Sequence, residues 1–450
     1  MRLTAVVLAW RPGIAAFALV IGLLACGSPA APSTPALGPS ALPPATQPPT
    51  VPSPTVPPPT ATQDLRPPHH IAIRQVEGVS EFYDRRSGAT FIPRGANYLH
   101  FAWQEMPWGE QRYQDATFAT DVYDSQAAGA ALARMHEYGY NVVRVFLIDS
   151  LAGVTGQGTF LNPAYVDNLA DFLRQAAAND IFVWFTSDWL PGGRYGEMSN
   201  AQCCEDFGST NLQILSAGGV AAIGELYVDL YRALLDRGAP VEHVFSWELR
   251  NEVYFDSTSP PLSWNEGAIE HANGVAYDMA RDRQRLMDEG LVYFIDTARA
   301  RILEADPTAL VSVGFFVPQG PLAARVGDTR WIETRPAIWD STADFIDLHG
   351  YPGFELDVRG HAVNFGMEGM ERTPMVMGEF GAFRQNYSSP ARGALALQQW
   401  QADSCAFGFD GWLLWHWDTA EDEALWNALS GDEEIARALS PDQHPDPCAP

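Results

Sequence analysis

From about residue 90 to residue 415 the chain repeats one unit: a short, continuous apolar run followed by a longer stretch with helical spacing. The runs are IPRGAN (92–97), VVRVFL (142–147), IFVWFT (181–186), HVFSWEL (243–249), LVSVGF (310–315), FIDLH (345–349), PMVMGE (374–379) and GWLLW (411–415). Runs that are apolar throughout, rather than alternating, mark parallel strands buried on both faces. The stretches between them carry helix start and stop signals. SQAAGAALARMHEYG ends at Gly139 and GGVAAIGELYVDLYRALLDRG at Gly238. NPAYVDNLADFLRQAAAND has Pro163 in its first turn, EGLVYFIDTARARILEADP stops before Pro307, and SPARGALALQQWQADSCAFG opens on Ser-Pro. Eight strand–helix units in series predict an α/β fold, a single (β/α)8 TIM barrel over residues 69–440 with a tail at 441–450. The first strand is followed by RGANYLHF, which is no dinucleotide fingerprint. Ahead of the barrel, HIAIRQVEGVSEFYDRRSGATFI alternates apolar and polar residues about Ser87-Gly88 and predicts an N-terminal β-hairpin.

Residues 1–26 read as an address. Arg2 and Arg11 supply positive charge, and the apolar run from Ile14 to Leu24 is too short to span a bilayer stably. Leu23-Leu24-Ala25-Cys26 resembles the bacterial lipoprotein signal, in which the Cys is lipidated; an ordinary cleaved secretory signal is the alternative. Residues 27–68 are rich in Pro, Ala, Ser and Thr and predict a disordered linker. The expectation is an exported cell-envelope lipoprotein facing the extracytoplasmic side, touching membrane only through its N-terminal lipid. Disulfides are permitted there. Cys405 and Cys448 are placed to tie the tail to the last helix, while the pairing of Cys203 and Cys204 is open. No His accompanies the Cys residues at zinc-site spacing, so no metal is expected.

Charge narrows the partners. Fifty-five acidic residues against 28 basic ones give −27, which repels nucleic acid and anionic lipid. All the basic residues are Arg. Without Lys there is no Schiff-base, pyridoxal or Walker-A chemistry, and no cofactor is expected. A monomer is the expected state. The chemistry of such a barrel lies at the C-terminal ends of its strands. Those ends carry Asn97, Arg144, Asp188 and Trp189, Asn251 and Glu252, His349 and Tyr351, Glu379, and Trp415. Carboxylates, amides and aromatic rings are the groups that break and bind glycosides.

At these residues the chain resembles glycoside hydrolase family 5 and its clan of retaining glycosidases. VFSWELRNEVYF is similar to the clan's Asn-Glu signature and VMGEFGAF to its nucleophile strand. YNVVRVF, DLHGYPG and GWLLWHW resemble the Arg, His-x-Tyr and Trp positions of family 5. The resemblance implies Glu252 as acid/base and Glu379 as nucleophile, with Arg144 and Tyr351 donating to Glu379. It also implies Asn251 on the sugar 2-hydroxyl and Trp415 beneath the sugar at the cleaved bond. A family His near the end of strand three is missing from FTSDWLPGG. The WELxNE wording and the Asp-Trp…Gly-Gly of residues 188–193 favour β-mannan as substrate, with β-glucan next. The alternative is a non-catalytic carbohydrate-binding surface lipoprotein on the same barrel. Long loops are expected after strands three (189–220) and four (253–289).

Overall fold

The computed structural model describes residues 67–105, 110–152, 160–201, 206–318, 329–354 and 356–448. Eight parallel strands form its centre: β1 (Arg94–Asn97), β2 (Val142–Leu147), β3 (Phe182–Ser187), β4 (Val244–Glu248), β5 (Val311–Phe316), β6 (Phe345–His349), β7 (Met375–Phe380) and β8 (Phe409–Leu414). Each pairs with its sequence neighbours and β8 pairs with β1, so the sheet closes as a TIM barrel. Every predicted run contains its strand or overlaps most of it. The helices that follow the strands in turn are α1 (Ser125–Glu137), α2 (Pro163–Ala178), α3 (Ala217–Asp236), α4 (Arg283–Ala305), α5 (Arg335–Trp339), α6 (Val358–Phe365), α7 (Pro390–Cys405) and α8 (Ser430–Ala438).

Local chemistry sets the helix ends. Asp124 caps α1 by accepting from the backbone N–H groups of Gln126 and Ala127, and Ser389 caps α7 ahead of Pro390. The main core lies between strands and helices, with Leu169, Leu173, Tyr227, Leu230, Phe294 and Leu397 among its fully or nearly fully buried members. A smaller cluster fills the barrel interior: Val142, Phe182, Trp184, Phe245, Phe345 and Leu413, closed by Ile71 and Phe82 of the N-terminal hairpin.

That hairpin differs from its expected register. Ile71–Val76 pairs with Val79–Asp84, so the chain turns at Glu77-Gly78, ten residues before Ser87-Gly88. Glu77 and Gly78 both take positive φ, 54° and 93°, the geometry of a tight two-residue turn. Ser87-Gly88 makes a second turn, closed by the Tyr83–Thr90 bridge.

The long segments after β3 and β4 are present, and each carries short elements of its own. The first holds helices at Gly193–Asn200 and Ser209–Leu215, the second a small hairpin of Ala268–Glu270 with Ala276–Asp278. Cys405 and Cys448 form a disulfide. Cys26, the 1–26 signal, Cys203 and Cys204 lie outside the described residues, as does nearly all of the linker.

Candidate active site

Arg144 organises the barrel mouth. It projects from β2 with its side chain wholly buried, so each guanidinium N–H needs an acceptor. Nη1 donates to Glu379 Oε1 at 2.9 Å and to Asn97 Oδ1 at 3.0 Å. Nη2 reaches Glu248 Oε1 at 2.7 Å and Asn251 Oδ1 at 2.5 Å, and Nε reaches Glu248 Oε2 at 3.3 Å. Asp347 Oδ2 lies 3.3 Å from Nη2. One cation thus touches residues from β1, β4, β6 and β7 and from the turn after β4.

His349 and Tyr351 complete the set. His349 Nδ1 is 2.9 Å from Glu252 Oε1 and 3.4 Å from Glu379 Oε2, and its Nε2 is 3.1 Å from Asp347 Oδ2. Tyr351 donates to Glu379 Oε2 at 2.8 Å. Oxygens of Glu252 and Glu379 and the ring nitrogen of His349 all lie within 4.8 Å of one another. Glu379 is deeply buried, whereas the Glu252 side chain is 35% exposed and faces the open mouth.

Burial and charge compete at each group. Burial raises the Glu379 carboxyl above its ordinary value, while His349 and Arg144 pull it back. Burial also pushes Glu248 up to about 8, against the pull of Arg144. For Asp347 the same burial is outweighed by His349 and Arg144, leaving it below its ordinary value. Burial works against a charged His349, but Glu379 and Asp347 overcome it and hold the imidazole well above its usual range. Protonated, it donates to Glu252 from Nδ1 and to Asp347 from Nε2. Tyr351 is pushed well above a normal phenol by burial and by the Glu379 charge, so it stays a donor.

The remaining expected residues fall into two groups. Asn251, Asp188, Trp189 and Trp415 rim the mouth. Asn251 Nδ2 meets Asp188 Oδ1 at 3.5 Å, Trp189 is 40% exposed, and half-buried Trp415 leans on Phe146 with its indole N–H 3.4 Å from Asp422. Asn97 lies differently. It is fully buried, and its amide is taken up by Arg144, Gly378 O and Leu414 O, so it holds the network from below rather than meeting solvent.

Two network residues were missed in the sequence reading, Glu248 and Asp347. Both are completely buried. A charged residue within an otherwise apolar strand run needs a buried partner, and that signal marks Glu248 in HVFSWEL and Asp347 in FIDLH. Two glycines serve the same network. A Cβ on Gly378 would stand 2.2 Å from Asp347 Oδ1, and one on Gly314 would stand 1.9 Å from Asn251 O. Gly378 N–H instead donates to Asp347 at 2.7 Å.

Among the described residues, Glu252, His349 and Glu379 are the group whose donor atoms are close enough to share a metal ion. A protonated His349 has no ring lone pair to offer, and the Arg144 cation 2.9 Å from Glu379 opposes a second positive charge.

No family model matches the chain, and no curated protein does. Solved structures do. The exo-β-1,4-mannosidase Op5Man5 from Opitutaceae bacterium strain TAV5 superposes with a TM-score of 0.54 at 16% identity, over 84% of this chain and 64% of that one. The endo-1,4-β-mannanase from Rhizomucor miehei gives 0.55 at 15% identity, over 83% and 99%. The endocellulase from Pyrococcus horikoshii gives 0.51 at 16% identity, over 83% and 99%. This chain has the fold of those three barrels.

Proposed function

We propose that the protein is a retaining β-glycoside hydrolase of family 5 type, with Glu379 as nucleophile and Glu252 as acid/base. The observation that carries the proposal is the spacing of the two carboxylates. One oxygen of each lies no more than 4.8 Å from the other. His349 Nδ1 is 2.9 Å from Glu252 Oε1 and 3.4 Å from Glu379 Oε2, so no water fits between those oxygens. Retaining pairs stand ~5–5.5 Å apart, whereas inverting pairs leave ~6.5–9.5 Å for a water.

The surroundings suit two different roles. Glu379 has donors on both oxygens, which favours the ionised state a nucleophile requires. It would attack the anomeric carbon while Glu252, on the open side, protonates the departing oxygen. Glu252 would then deprotonate the water that releases the sugar. Asn251 would hydrogen-bond the 2-hydroxyl and Trp415 would stack on the sugar face.

A β-mannan is the favoured substrate, with β-glucan next. Support comes from the WELRNE wording of residues 247–252 and from the names of two of the three barrels above, a β-mannosidase and a β-mannanase. Lipid on Cys26 would hold the enzyme at the cell envelope, with residues 27–68 as spacer. Incubation with mannan, glucomannan, cellulose oligomers and xylan, with products sized by chromatography, tests the assignment. Release of mannose-containing products supports it, and inertness towards all four overturns it.

A further inference from the structure

Among the described residues the exposed aromatic side chains are Trp103, Tyr113, Phe160, Trp189 and Phe354. All five lie on segments leaving the C-terminal ends of barrel strands: β1 for the first two, then β2, β3 and β6. The exposed large aliphatic residues lie elsewhere, Val76 and Val79 on the N-terminal hairpin, Val363 on α6 and Leu395 on α7. Among the described residues, aromatic exposure is therefore confined to the face that holds the carboxylate pair.

Trp103 is the extreme case, 66% exposed. It sits on a hairpin of Phe101–Glu105 with Gln111–Asp115, inserted between β1 and α1, where a barrel needs only a short connection. Trp103 pairs directly across the hairpin with Tyr113, their rings 5.5 Å apart, and Phe101 stacks on Tyr113 at 6.0 Å. Strand alternation puts Glu105 and Gln111 on the same face as this stripe. The base of the hairpin is tied to the segment after β8 that follows Trp415. His100 lies 3.6 Å from Asp418 and 3.7 Å from Glu421, and Thr419 donates to Leu99 O.

We infer that Trp103 and Tyr113 form a distal saccharide-stacking platform, which holds the same β-linked chain whose glycosidic bond is cut at Glu252 and Glu379. The inference rests on the proposed glycosidase activity and extends it to binding of several sugar units. A protein partner would favour one contiguous apolar patch. Here the exposed rings are spread over four loops, a pair on the hairpin and one on each of three others, and Glu105 and Gln111 lie beside the pair, which suits a chain offering C–H faces and hydroxyls in turn. Trp189 fits the same pattern nearer the centre. The buried Arg250 guanidinium covers one side of its indole at 4.2 Å, and the ring remains 40% exposed.

The test compares wild type, Trp103→Ala, Trp103→Phe and Tyr113→Ala as full chains. Substrates are β-1,4-mannohexaose, β-1,4-cellohexaose and the matching aryl β-glycosides. On whichever hexaose is cleaved, Trp103→Ala is expected to lower kcat/KM roughly 3- to 10-fold. Aryl glycoside turnover should stay within about twofold, and Trp103→Phe should retain most of the hexaose rate. Unchanged hexaose kinetics in Trp103→Ala would overturn the platform and leave the glycosidase reading standing. An equal loss on both substrate types would overturn it too, as a fold effect. Loss of a dimer on sedimentation with unchanged hexaose kinetics would reassign the face to a second copy. A wild type inert on every substrate would remove the glycosidase reading and the platform with it.

Discussion

Arg144 donates to Glu379 across 2.9 Å at the floor of the barrel mouth, and neither side chain is more than 5% exposed. The guanidinium is fixed from behind by Glu248, which takes both Nη2 and Nε. A planar cation held by two parallel contacts cannot swing, so the remaining N–H is aimed at Glu379.

The clamp predicts a cost for Glu248→Gln. The substitution keeps the shape but replaces one acceptor oxygen of the clamp with an amide nitrogen, leaving a buried Arg144 N–H without its acceptor. An unsatisfied buried donor costs about 1–3 kcal/mol. Chemical denaturation should show a loss of that order, and kcat should fall because Arg144 is no longer aimed. Wild-type stability together with wild-type kcat would show that Glu248 does not hold Arg144.

Separate roles for the two carboxylates predict different losses. Glu379→Ala should abolish turnover, and azide should restore it by attacking the anomeric carbon from the vacated side. Glu252→Ala should lower kcat by ~10²–10⁴ on unactivated oligosaccharides and far less on aryl glycosides with good leaving groups, which need no protonation. Leaving-group dependence in the Glu379 variant, together with azide rescue of the Glu252 variant that yields the inverted glycosyl azide, would exchange the assignments.

The acid limb of the pH profile should report Glu379. Burial raises its carboxyl above the ordinary Glu value, and only the ionised form attacks. Activity therefore rises as pH climbs through that raised value. The Tyr351 hydroxyl donates to the carboxylate and lowers it. Tyr351→Phe should move the acid limb of kcat/KM to higher pH. A limb that stays put or moves to lower pH would show that this hydrogen bond does not tune the nucleophile.

Anchoring should be separable from catalysis. Cys26→Ala is expected to abolish labelling by a radioactive fatty acid and to lower the membrane-bound fraction, with activity per folded molecule unchanged. Lipid labelling that survives the substitution would place the attachment elsewhere.

The eight strands were legible because a parallel strand covered on both faces has no solvent side, so VVRVFL and FIDLH read as apolar runs broken only by Arg144 and by Asp347 and His349. The rim residues were legible because a barrel puts strand ends at its mouth, which located Glu252, His349, Tyr351 and Glu379 together. Glu248 and Asp347 were harder. Their partners are distant in the chain, 104 residues away for Glu248 and Arg144, and nothing local distinguishes a paired charge from a lone one. Asp347 does share strand period two with His349, which the close contact of the two side chains reflects. The Glu77-Gly78 turn was hidden because it places a non-glycine at positive φ, whereas at Ser87-Gly88 the positive φ falls on the glycine. The Trp103–Tyr113 hairpin left little trace, since FAWQE and QRYQD bury no clean apolar face and are joined by cross-strand ring contacts.

The central claim is covalent catalysis by Glu379. A 2-deoxy-2-fluoro-β-mannosyl fluoride, with its gluco counterpart in parallel, should trap the glycosyl-enzyme, because the fluorine slows release more than attack by a good nucleophile on an activated sugar. After proteolysis, mass spectrometry should find one fluorosugar on the peptide containing Glu379. An adduct on another carboxylate, or turnover on oligosaccharides with inverted products and no adduct, would contradict the account.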